Sequence, residues 1–175
     1  MIANFSRQLA NQPVTAAIEW AGAVLDAQCA EPEELLNNLF PHVSLVDQLT
    51  FDHVGLMLPY ANGQQAVAAL DSSGFKVTQQ FESMVVARLL RERCGQSDLR
   101  ISITLAERMD NPKARLELFC PENLSGDHYP GLDQLAVEIA HIAYRPVAGA
   151  DFDKLCDKLK QHGLNRFMDG RNTQH

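Results

Sequence analysis

Two strand–helix units with matching punctuation restrict this chain more than any other feature. The first reads Phe51-Asp52-His53-Val54-Gly55-Leu56-Met57-Leu58-Pro59, then a helical pattern, then Ser73-Gly74-Phe75. The second reads Ile139-Ala140-His141-Ile142-Ala143-Tyr144-Arg145-Pro146, then another helical pattern, then His162-Gly163-Leu164. In each unit a histidine stands near the strand start and a proline closes the strand five or six residues later. A glycine follows the histidine by 21 or 22 residues, and the two histidines are 88 residues apart. Any two β-α units share an outline. Agreement of a histidine, a proline and a glycine in order points further, to a duplicated module.

The remaining pattern supplies the other elements. Ala17, Ile18, Ala21, Val24, Leu25 and Cys29 recur at helical spacing behind Pro13, and predict a helix from Val14 to Gln28. Ala30-Glu31-Pro32-Glu33-Glu34 reads as a second helix start, with Leu35, Leu36, Leu39 and Phe40 on one face and Pro41 as its end. Residues 1–49 are therefore expected to form an N-terminal helical extension, ahead of a domain at 50–175. Within that domain, module one covers 50–121 and a partial module two covers 135–175. The period then changes to that of strands, at Thr50–Leu58, Phe75–Glu82, Met84–Arg91, Leu99–Ala106, Ala114–Cys120 and Leu135–Arg145. Helices are expected over Gln64–Ser72 and Asp151–His162, and a last strand over Leu164–Met168.

Equivalent histidines on equivalent strands of a pseudo-twofold fold converge near the axis, because alternate residues share a face and strands lie close. Glu117 completes the set. It sits in Arg115-Leu116-Glu117-Leu118-Phe119, where a carboxylate among apolar neighbours needs a partner. Two neutral imidazoles and one carboxylate suit a single divalent ion (iron, manganese, nickel, cobalt or zinc). His53, Glu117 and His141 are thus the candidate metal ligands, and Glu117 is also the candidate catalytic carboxylate. The competing readings are structural: strand histidines hydrogen-bonded in a core, and Glu117 paired with Arg115 or Arg100. His42, His128, His162 and His175 lack the repeat context, and His162 suits a helix C-terminus. No nucleophile motif, glycine-rich phosphate loop or cysteine-rich zinc motif is present.

Charge and composition exclude several classes. A net charge of −7 with no concentrated basic run argues against a phosphate-backbone partner, so no nucleic acid is expected. No stretch approaches the roughly 20 apolar residues of a membrane span, so no membrane is expected either. The first residues lack the pattern of a signal peptide. Cysteines at 29, 94, 120 and 156 form no Cys-x-x-Cys pair and suit free thiols in a reducing compartment, so the expected location is cytoplasmic.

These residues resemble the vicinal oxygen chelate superfamily, the glyoxalase, bleomycin-resistance and extradiol-dioxygenase group, over about residues 50–168. The strings that carry the resemblance are Asp52-His53-Val54-Gly55-Leu56, Leu116-Glu117-Leu118 and Ala140-His141-Ile142-Ala143, in that order. The helical extension is also similar to that of the YecM-like proteins, a bacterial group with a glyoxalase-like fold. The resemblance implies an α+β fold of paired βαβββ modules, with the second module incomplete here, and His53, Glu117 and His141 as metal ligands. It implies three strands after the second helix, the last usually bearing a fourth ligand. Only 12 residues follow Gly163 and no glutamate follows Glu138. The fourth ligand is then missing, or is supplied by Asp169, His175, another chain or the rest of a longer protein. An open sheet edge would be covered by residues 14–49 or by a second subunit in a homodimer. The implied function is a metal-dependent isomerase, lyase or dioxygenase acting on a small oxygenated molecule, with Arg88, Arg100 and Arg115 as anchors for an anionic substrate. Two alternatives stand beside it: a non-catalytic module of the same fold that binds a small ligand or metal, and a dimerisation scaffold.

Overall fold

Pro13 opens the first helix, where its fixed φ is already helical and its missing N–H would have no partner. In the computed structural model, which describes residues 13–41, 45, 47–95, 97–122 and 137–162, α1 runs Val14–Ala30. Its Ala17, Ile18, Ala21 and Leu25 stripe is fully buried. Pro32 begins α2 (Pro32–Leu39), and Glu33 and Glu34 face the positive end of its dipole. Then follow β1 (Leu49–Met57), α3 (Gly63–Ser72), β2 (Phe75–Glu82), α4 (Met84–Cys94), β3 (Ile101–Arg108), β4 (Arg115–Pro121), β5 (Glu138–Pro146) and α5 (Phe152–Gln161).

The class is α+β. The five strands form one mixed sheet in the order β2-β3-β4-β1-β5. β1 runs parallel to β4 and antiparallel to β5, while β2–β3 and β3–β4 are antiparallel. Val54, Leu56, Leu116, Leu118, Ala106 and Phe75 meet α1 and α3 in one core. Each fully buried leucine there contributes about 1.5–3 kcal/mol. The expected N-terminal extension thus shares its core with the sheet. The opposite face carries Gly55 and Met57 of β1, Glu117 and Phe119 of β4, and Ile103 and Leu105 of β3, which the register sets in rows. Ala87 and Leu90 of α4 pack over the Met57–Phe119–Ile103 row.

The segment Met84–Arg91, expected as a strand, is helical and corrects that reading. Ser83 Oγ accepts from Val86 N–H, which caps the helix start. Ala87 and Leu90 are buried one helical turn apart. Gly95 ends the helix at φ 68°, a left-handed position that favours glycine. The expected strand at Leu164–Met168 and most of the 122–134 loop, with His42, His128, Asp169 and His175, lie outside the described residues.

The two strand–helix units agree in length and capping. α3 and α5 have ten residues each and start at Gly63 and Phe152, 89 positions apart. Asn62 and Asp151 cap them alike, each accepting from the backbone N–H three residues on. β1 and β5 are neighbours, and their register shifts twice. Asp52 is the extra residue on β1, between the pairs Phe51–Tyr144 and His53–Ala143. Ala140 is the extra residue on β5, between the pairs Gly55–His141 and Leu56–Ile139. These are β-bulges, and each stands immediately before a repeat histidine. Among the described residues, no helix is long and apolar enough to cross a membrane. All four cysteines are free.

Candidate metal centre

Three adjacent strands deliver the three residues. Gly55 of β1 pairs with Glu117 on one side and His141 on the other, so both side chains rise beside it. His53 stands two residues from Gly55 on β1. The glycine makes this approach feasible, since a Cβ there would lie 2.4 Å from His141 Cε1 and 2.7 Å from both ring nitrogens. The edge of Phe119 flanks the same ring, with centroids 5.7 Å apart.

The ligand atoms form a small triangle. His53 Nε2 lies 2.9 Å from His141 Nε2 and 3.1 Å from Glu117 Oε2, and His141 Nε2 lies 3.0 Å from Glu117 Oε2. Three atoms on one octahedral face, each about 2.1 Å from a shared ion, stand about 3.0 Å apart, whereas a tetrahedral ion would spread them to about 3.4 Å. The triangle is of a size at which its three atoms could share one such ion. The donor set of two imidazoles and a carboxylate is the facial arrangement that leaves other positions open. The group could hold a metal ion.

Asp52 fixes the chemistry of His53. Its Oδ2 accepts from His53 Nδ1 at 2.8 Å, so the Nε2 lone pair is turned into the triangle. Consecutive residues of a regular strand point to opposite faces; the bulge at Asp52 is what lets these two meet. Asp52 is held in turn by Arg115, which donates to its Oδ1 and, at 3.4 Å, to its backbone carbonyl. Arg145 Nε stands 3.6 Å from Oδ1.

The electrostatics are those of a site built for positive charge. Burial opposes ionisation of Glu117, but hydrogen bonds from His141 and His53 and their charges outweigh it and bring its pKa down to about 2. Burial likewise opposes protonation of His53. The hydrogen bonds to Glu117 and Asp52, with their charges, outweigh that too and raise its pKa. Positive charge among these groups is favoured.

All three residues expected as ligands are brought together. The competing pairings of Glu117 do not form: Arg115 serves Asp52, and Arg100 pairs with Glu82. Arg88 is an exposed residue of α4. His162 is the C-cap of α5, as its place in the sequence suggests. Asp52 and Gly55 are working residues to which the sequence reading gave no role. The signal for Gly55 was available, since a glycine inside a strand marks a close approach. No known family model, curated protein or solved structure matches the chain.

Proposed function

We propose that this chain is a metal-dependent protein of the vicinal oxygen chelate type, acting on a small oxygenated molecule as an isomerase, lyase or dioxygenase. The observation that carries the reading is the triangle of His53 Nε2, His141 Nε2 and Glu117 Oε2 with sides of 2.9–3.1 Å. Its support in the fold is the order β1-α3-β2-β3-β4 with β4 parallel beside β1. That is one βαβββ unit with α4 inserted, and β5-α5 repeats its beginning. A divalent ion with open positions supplies Lewis-acid stabilisation of a substrate oxygen. The protein supplies the rest. Asp52 orients His53, Gly55 and Phe119 seat His141, and Glu117 offers a carboxylate that accepts a proton or ligates. His141 is 38% exposed, so the triangle is reached from solvent.

Elemental analysis of untagged protein tests this. About one first-row metal per chain is expected, with loss of that metal in both His53→Ala and His141→Ala. Full occupancy in both variants would remove the assignment. Metal binding without turnover of any small oxygenated compound would leave the non-catalytic module.

A further inference from the structure

We infer that the two halves of the repeat give this site unequal histidines: Asp52 is the positioning residue of His53, and position 140 is the equivalent place behind His141, where alanine supplies nothing. The inference rests on the reading of His53, Glu117 and His141 as metal ligands. Asp52 and Ala140 are equivalent by two independent measures. They are 88 residues apart, as the histidines are, and each is the extra residue of a β-bulge directly before its histidine. On β1 the bulged residue is a carboxylate that accepts a hydrogen bond from His53 Nδ1 at 2.8 Å and is anchored by Arg115. On β5 it is an exposed methyl group. Among the described residues none accepts from His141 Nδ1. Among the described residues that ring is seated by shape, over Gly55 and against Phe119.

A carboxylate behind a ligating imidazole fixes its tautomer and orientation and raises its basicity, which is worth about 10- to 100-fold in metal affinity. Among the described residues His53 has this support and His141 has none. Because Ala140 is exposed, a carboxylate placed there meets no packed neighbour. Supplying it should strengthen the weaker ligand by the same physics.

The test is Co²⁺ titration, followed by visible absorption, of wild type, Asp52→Ala, Ala140→Asp and the double variant. Melting without metal checks that each is folded. Asp52→Ala is expected to weaken Co²⁺ binding 10- to 100-fold, and Ala140→Asp to tighten it about tenfold. The double variant should recover about tenfold over Asp52→Ala alone. That recovery separates positioning from a structural role, because a carboxylate at position 140 restores no partner to Arg115 or Arg145. Wild-type affinity in Asp52→Ala, or no gain from Ala140→Asp in either background, would overturn the inference while leaving the metal site standing. Absence of Co²⁺ binding by the wild type would overturn both.

Discussion

Gly55→Ala should separate the metal site from the fold. The new Cβ would stand 2.4 Å from His141 Cε1. Carbon atoms settle at about 3.5–4.0 Å, so the ring must retreat by about 1 Å or more. The obstacle is a side chain that can swing outward, so the backbone pairing of β1 with β4 and β5 survives. Replacing a strand glycine even lowers the entropy lost on folding, by roughly 0.5–1 kcal/mol. A retreat of that size takes Nε2 beyond bonding distance of an ion that requires about 2.1 Å. Losing a ligand outright should exceed the upper limit for losing its supporting partner, so metal affinity should fall by about 100-fold or more. With metal at 1,000 times the wild-type Kd, bound metal stabilises the wild type by about 4.1 kcal/mol; a hundredfold weaker site retains about 1.4. The lost 2.7 kcal/mol corresponds to roughly 5–11 °C in Tm for a chain of this size. The assay is thermal melting with EDTA and with added metal. Unchanged or slightly higher Tm in EDTA, with most of the metal-induced rise gone, is the expected result. A full metal-induced rise in Gly55→Ala would refute the geometry.

Three further outcomes follow from the same structure. In EDTA-treated protein the site's own stability should be bounded on both sides. The His53 contribution is fully present below pH 6.5 and lost as pH rises through its raised folded value, and that of Glu117 is present above pH 4.5 and lost as pH falls toward about 2. Urea denaturation across pH 3–9 should show the alkaline limb missing in His53→Ala and the acid limb missing in Glu117→Gln, while metal affinity of the wild type rises with pH as the ion displaces the proton. Ser83→Ala removes the cap of α4 and should cost about 1 kcal/mol by urea denaturation, a loss absent if residues 84–94 were a strand. Leu116→Ala, at a fully buried position between α1 and β4, should cost about 2–5 kcal/mol by the same method, and a loss under 1 would contradict the core assignment.

Much of the arrangement was legible because it is periodic. The α1 stripe, the 88-residue spacing of the histidines, and a glutamate alternating with leucines at 116 and 118 are all one-dimensional signals. What was not legible arises where the local rule breaks. Met84-Val85-Val86-Ala87-Arg88-Leu89-Leu90 has the apolar richness of a strand, and only the Ser83 cap and the Ala87–Leu90 spacing favour a helix. Asp52 was invisible as a partner of His53 because strand alternation places neighbours on opposite faces. Nothing in the composition of Phe51-Asp52-His53 announces a bulge.

The bulges do more than turn one carboxylate. In the flanks of the β1–β5 ladder, paired residue numbers add to an odd total, as in Phe51–Tyr144 and Met57–Glu138; between the bulges they add to an even one, as in His53–Ala143 and Gly55–His141. For a repeat offset of 88, an even number, equivalent residues share a face of an antiparallel pair only when that total is even. The flanking register carried through unbroken would pair His141 with Val54 and send the two histidines to opposite faces, since a slip of one residue reverses every side chain. The bulge at Asp52 shifts the register by one and the bulge at Ala140 restores it. The shifted segment, residues 53–55 against 141–143, holds both histidines and the glycine between them. Phe51 and Ile139, each two residues before a histidine, thus pack against the core, and the inner pairs adopt the phase that brings two imidazole nitrogens to 2.9 Å. Core and site make opposite demands on one pair of strands, and a bulge on each reconciles them.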